Sequence, residues 1–267
     1  MAAVGTVYLM YHELQIPGRE PCQKEGSYTR YVISESDFRA QISWLKEHEW
    51  RALSVGEALE DSDLGERRIV ITFDDGCETD LIAAAPLLKE AHFNATFYVA
   101  AGFVGRPRFL SMSQIRELSD LNFEIGCHSM THPWMSELTS EQLHFEVVEA
   151  KDRLEQIIGR PVNHFSCPGG RWDRRIADFA RKAGYHSVAT SYIGTNSSRS
   201  DRFRLARVPV RRGTALAAFE RFCCARGLRK LSARSAGLSF IRSLLGDSTY
   251  IRFRSAVLDR SRDSGAF

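Results

Sequence analysis

Nowhere does the 267-residue chain run through the roughly 18 to 20 uninterrupted apolar residues that a membrane-spanning helix needs, so a soluble or at most peripheral protein is expected. The first residues, MAAVGTVYLMYHE, lack the basic segment and cleavage pattern of a secretory leader, and a cytoplasmic location follows as the expectation. The six cysteines (Cys22, Cys77, Cys127, Cys167, Cys223 and Cys224) contain no CxxC pair and none of the density of a small secreted scaffold. They are read as reduced thiols, not as a disulfide framework or a zinc knuckle. Acidic residues are scarce only at one end. Residues 1–200 hold 21 Lys+Arg against 28 Asp+Glu, a net −7, whereas 201–267 hold 15 against 5, a net +10, which the overall +3 conceals. An anionic partner would meet the tail. Without aromatic interleaving or a recognisable motif, no nucleic-acid partner is expected.

What is present is enough apolar residue, 43% against 26% charged, to bury one sizeable core. Short β-rich runs alternate with helical patterns up to about residue 190, without a fixed-period repeat, and that alternation is the pattern of βαβ units around a parallel sheet. After the opening strand VYLMY comes a Gly/Pro-rich loop, then SESDFRAQISWLKEHEW, where Ser34 or Ser36 can cap a helix burying Phe38, Ile42 and Leu45. RRIVITF, NATFYVA, FEIGC, NHFSC and HSVAT read as strands. LIAAAPLLKEAH, SMSQIRELSDL, TSEQLHFEVVEAKDRLEQIIG and DRRIADFARKAG read as the helices between them. In such folds reactive side chains gather at the carboxyl ends of the strands, where several loops converge.

Three strand ends carry unusual residues: Asp74 and Asp75 after VITF, His128 and His132 after FEIGC, and Pro168, Gly169 and Gly170 after HFSC. Neighbouring residues at a strand end point to opposite sides, so one aspartate can bind a cation while the other stays free as a base. Four apart, His128 and His132 would share a face of a helical turn and present two imidazoles to the same ion. Two His and one carboxylate leave an open coordination position, which marks a catalytic rather than a structural site. Cys77 and Cys127 adjoin this set, so a cysteine-ligated metal or a thiol nucleophile is the competing chemistry; alternation turns both thiols away from it.

The strings ITFDDG, HSMTH and FSCPGGRWD resemble the first three motifs of the polysaccharide deacetylases, the NodB-like carbohydrate esterase family 4, and the resemblance runs over residues 6 to about 212. It implies a distorted, incomplete (β/α)7-type barrel over 1–213, followed by a basic, helical C-terminal extension over 214–267. It also implies a divalent metal, usually zinc, and removal of acetyl groups from an N-acetylated glycan or glycoconjugate. Carried over by motif, Asp74 is the general base, Asp75, His128 and His132 are the metal ligands, and a backbone N–H near Gly169, after Pro168, faces the developing oxyanion.

The amine leaves only when protonated, and the family's usual acid is a histidine in a late Leu-x-His motif. No histidine follows His186 here. A circularly permuted branch, which includes biofilm poly-N-acetylglucosamine deacetylases, carries the acid motif at the N-terminus, and LMYH resembles it; His12 is therefore the candidate acid. The arginine that commonly orients the base in the third motif is replaced by Ser166 or Cys167, with Arg171 a nearby substitute. Trp172 is either a sugar-stacking wall or a helix cap. The fourth, aspartate-tryptophan motif is not found.

In the tail, Leu228, Leu231, Leu238, Ile241 and Leu245 share roughly one helical face over 228–245. This suits packing against the barrel or a peripheral contact with an anionic inner membrane face, and in the latter case a lipid-linked sugar becomes a natural substrate. The competing functions are a catalytically degenerate glycan-binding homologue and an amidase or deformylase acting on a small molecule.

Overall fold

The computed structural model describes residues 5–61 and 67–233. Its main sheet joins eight strands: β1 (Val7–Tyr11), β4 (Arg51–Leu53), β5 (Arg68–Phe73), β6 (Thr96–Val99), β7 (Glu124–Cys127), β8 (His164–Ser166), β9 (Ser187–Ala189) and β10 (Val208–Pro209). All are parallel, in the order β10-β1-β5-β6-β7-β8-β9. β4 pairs with the first half of β5 and β6 with its end, so both share the edge that β1 leaves open. A separate parallel pair links β2 (Glu13–Gln15) to β3 (Val32–Ser34). The segment 205–210 hydrogen-bonds first to β9, through Leu205 N–H to Val188 O, and then to β1, through Val210 N–H to Met10 O. One stretch of chain thus bridges the two edges of the curled sheet, and the expected α/β half-barrel is the observed fold.

The strand interiors explain the parallel arrangement. β1 is buried at all five positions and β5 at five of its six, the run of apolar and β-branched residues expected when helices cover the sheet. Between strands, helices begin where a hydroxyl accepts an orphan backbone N–H. Ser34, not Ser36, caps Glu35–Glu47, while Ser111 and Thr139 form capping boxes with Gln114 and Gln142. Pro86 occupies the first turn of Ala85–Ala91, where its missing N–H is least costly, and a π-turn over Asp80–Ala84 leads into it.

The compact unit continues past the expected boundary at residue 213 to Arg226, because helix Leu216–Cys223 buries Phe219 edge-on against Trp44, with ring centroids 6.1 Å apart. Of the second unit, Gly227–Phe267, residues 228–233 are helical. The rest of the amphipathic stretch expected over 228–245 lies outside the described residues. Among the described residues no helix is long and apolar enough to cross a membrane.

Candidate active site at the carboxyl ends of the strands

β1 and β5 run side by side in register, Tyr11 opposite Phe73, so the residues that follow each strand emerge together. Asp74 N–H donates to Tyr11 O at 3.0 Å, fixing the start of the Asp74–Gly76 turn against the first strand. Asp75 then takes a left-handed conformation (φ 80°) and so does Gly76 (φ 77°). A side chain at Gly76 would press on Val99, with 3.3 Å to its Cα. Aspartate tolerates the left-handed region better than most residues, and a non-glycine residue held there marks a functional turn.

Asp74 and Asp75 point to different partners, as strand-end alternation implies. Asp74 is 2% exposed and lies in a two-pronged ion pair with Arg207: Nη1 to Oδ1 is 2.7 Å and Nη2 to Oδ2 is 2.8 Å. Ser166 Oγ donates to the same carboxylate at 3.3 Å. The fully buried guanidinium uses all of its N–H groups, the others going to Thr190 O, Thr72 Oγ1 and Ser166 Oγ. Burial alone would raise the Asp74 carboxyl, but Arg207 and His128 outweigh it and hold it below the usual carboxylate range.

Asp75 faces the histidines. Its Oδ1 lies 3.4 Å from His128 Nε2 and 3.3 Å from His132 Nε2, and the three ligand atoms lie within 4.8 Å of one another. His128 Nδ1 is 2.8 Å from the Ser166 carbonyl, which can only accept, so the proton sits on Nδ1 and the Nε2 lone pair points at the carboxylate. Burial pushes the His128 imidazole down to about 4, which keeps it neutral at physiological pH. Two acceptors therefore oppose each other across 3.4 Å, and Asp75 Oδ1 is buried with no hydrogen-bond donor. That donor set fits a divalent cation of borderline softness such as Zn2+, held by one oxygen and two imidazole nitrogens.

The two histidines meet for a different reason from the helical spacing expected of them. No helix spans them; Ser129 (φ 66°) and His132 (φ 61°) are left-handed and fold the loop back, bringing the rings to 5.0 Å. Glu146 holds this loop from behind. It is buried in a π-turn (Phe145–Glu149) within the long helical stretch and accepts from Met130 N–H and Thr131 N–H, both at 2.8 Å, and from Thr131 Oγ1. The π-turn interrupts the helical ladder at the residue that anchors the loop, a common use of such turns.

His12 follows β1, and the charges of Asp75, Asp74, Arg207 and His132 act on it. Its ring stacks on Tyr31 at 4.5 Å, and its Nδ1 is buried without a hydrogen-bond partner. Burial lowers its pKa, partly offset by the two aspartates.

Two expectations need correction. Arg171 does not reach Asp74: it pairs with Glu137 and lies over the Trp134 ring, 3.9 Å from its centroid. Arg207, in the RLARVPV segment, takes the role instead, entering the space that Ser166 leaves free. Trp172 does not cap the following helix; Asp173 does, while the indole N–H of Trp172 donates to Phe203 O at 2.7 Å. The thiols of Cys127 and Cys77 are both buried. Cys127 is fully buried and pushed up to about 12, and Cys77 faces Tyr28, away from the histidines.

Pro168 is buried, and Gly169 (φ 59°) and Gly170 (φ 67°) form a left-handed turn beside the site. A side chain at Gly170 would collide with Ser191, 2.8 Å from its backbone nitrogen, so the turn can approach β9 only as glycine. The aromatic ring nearest this turn is Trp134, whose indole lies 3.8 Å from where a Gly169 Cβ would stand and which is 37% exposed. It follows HSMTH by two residues, a proximity that could have singled it out.

A curled parallel sheet with paired carboxylates and imidazoles at its carboxyl ends defines a class: an α/β half-barrel with a cluster of ligand-type side chains at one end. The family model for polysaccharide deacetylase matches residues 61–188. A Bacillus subtilis protein named as a polysaccharide deacetylase, YxkH, is 26% identical over 215 residues, covering 79% of this chain and 73% of that protein. Poly-β-1,6-N-acetyl-D-glucosamine N-deacetylase of Staphylococcus aureus is 34% identical over 111 residues, only 38% of either chain. Among solved structures, the Streptococcus pyogenes deacetylase PplD superposes with a TM-score of 0.74 over 83% of this chain and 99% of that one at 22% identity, a likeness of fold.

Proposed function

We propose that the protein is a metal-dependent N-deacetylase of an N-acetylated glycan or glycoconjugate. The observation that carries this reading is the division of labour between the adjacent aspartates, one clamped by Arg207 and the other facing the Nε2 atoms of two imidazoles at 3.3 and 3.4 Å. Asp75, His128 and His132 would hold a divalent cation, Zn2+ by its donor set, which when bound supplies Lewis-acid polarisation at an open position.

Asp74, kept ionised and oriented by Arg207, accepts the proton of the attacking water. His12 delivers a proton to the departing amine; its Nδ1 has no hydrogen-bond partner and its ring stacks on Tyr31. The turn at Gly169 offers a backbone N–H to the developing oxyanion, and Trp134 offers an apolar face to a sugar ring. The catalytically silent, glycan-binding reading rests on a missing base-orienting arginine and a missing fourth motif; Arg207 answers the first of these.

Acetate release from N-acetylglucosamine oligomers by the metal-loaded protein is the deciding assay. Release is expected, with a chelator abolishing it and Zn2+ restoring it. His128→Ala should lose both bound metal and activity; metal retained by that variant at wild-type stoichiometry would overturn the ligand set. Activity on small amides alone would replace the glycan reading with the amidase one. Trp134→Ala is expected to raise KM about two- to tenfold with little change in kcat, the size of one lost aromatic contact; an unchanged KM would remove Trp134 from the substrate surface.

A further inference from the structure

A second group of side chains of metal-ligand type includes residues that closely follow His12 and Asp75 in the chain. Glu13 comes directly after His12, Cys77 comes two residues after Asp75, and Cys22 sits in the loop between β2 and β3. The carboxylate of Glu13 and the two sulfurs lie within 4.8 Å of one another, and all three residues are buried. The loop is drawn in by Cys22 N–H, which donates to both Glu13 oxygens at 3.1 and 2.9 Å. Tyr28 Oη donates to Glu13 Oε2 at 2.8 Å and stands 3.1 Å from Cys77 Sγ.

Asp80 adds an independent observation. It is 1% exposed, and both of its carboxylate oxygens are buried without a hydrogen-bond partner. Its electrostatic neighbours are Cys22, Asp75, Glu13 and Asp74. A carboxylate with no donor in so dry a place is costly unless a proton or a cation satisfies it. Arg19 is the cation acting on Glu13, and it is itself paired with Glu78.

We propose that Glu13, Cys22 and Cys77, with Asp80 as the neighbouring carboxylate, form a structural site for a thiophilic divalent cation, Zn2+ by donor type. Two sulfurs and carboxylate oxygen suit a borderline-soft ion and not Mg2+ or Ca2+. On binding, each thiol releases its proton to solvent and each sulfur donates an electron pair to the ion, with no change of oxidation state. The ion would tie three distant stretches together: the strand that follows His12, the 16–25 loop and the Asp74–Cys77 turn. Its role is to hold the proton donor and the base turn at a fixed separation.

Co2+ titration of the chelator-stripped, reduced full-length protein tests this without any variant. Thiolate ligation gives an intense near-ultraviolet charge-transfer absorption that a site of imidazole and carboxylate alone lacks. The wild type should bind a second equivalent of Co2+ carrying that band. The band should persist in the His128→Ala/His132→Ala variant and disappear in Cys22→Ser. No band in the reduced wild type, or a band that survives Cys22→Ser, overturns the site. Because the band depends on sulfur and acetate release on the other pocket, a band without acetate release would fault the proposed function and leave this site standing.

Discussion

Asp74→Asn should fold, keep its metal and lose turnover by about 10²- to 10⁴-fold, the usual contribution of a positioned general base. Asparagine preserves the shape and can still accept from Arg207 Nη1, but it cannot take a proton from water. The metal should stay because Asp75, not Asp74, carries the carboxylate oxygen that converges with His128 and His132. Acetate release and metal analysis on the same sample separate the two roles. Turnover within a few fold of wild type would remove Asp74 as the base; loss of metal with turnover would make it a ligand.

Arg207→Met is expected to have the largest effect on stability. The guanidinium is fully buried and every N–H is used, so its removal leaves the buried Asp74 carboxylate without its counter-charge. Breaking one side of a buried pair costs about 3–5 kcal/mol. Methionine roughly fills the stem's volume, so the loss reads out the charge more than a cavity. The Asp74→Asn/Arg207→Met double variant should therefore be more stable than Arg207→Met alone, since no charge is left unpaired.

The pH dependence has a definite sign. Arg207 holds the Asp74 pKa below its unfolded value, so the pair stabilises the wild type above the usual carboxylate range and this stabilisation fades as pH falls through the folded value. In the variant the carboxyl would be raised instead and would lose its penalty once protonated. Denaturant melts of chelator-treated protein should show a large gap between wild type and Arg207→Met at neutral pH that narrows on acidification. A gap independent of pH would mean that Arg207 acts through packing and not through Asp74.

How much of this was legible beforehand depended on the range of the interaction. ITFDDG and HSMTH carry their chemistry within a few residues, and the strand pattern around them put both at carboxyl ends. Even so, the reason the histidines meet was misjudged, because a left-handed turn and a helical turn can both bring residues four apart together. Glu146 was hidden in a helix whose π-turn leaves no mark in the apolar spacing. Arg207 lies 133 positions from Asp74 and looked like one of many arginines in a basic region. Arg171 looked nearer only because closeness in sequence was the available measure.

By itself the amino-acid order determined the alternation of strands and helices, the positions of the chemical groups at strand ends and the family those strings resemble. These depend on local periodicity, capping and turn residues, which act over a few positions. Only the folded chain decided that Arg207 reaches Asp74 and that Glu13, Cys22 and Cys77 meet. Closing a curled sheet brings distant segments into contact, and which long side chain fills the space left by a short one, as Arg207 does above Ser166, is settled by packing in three dimensions.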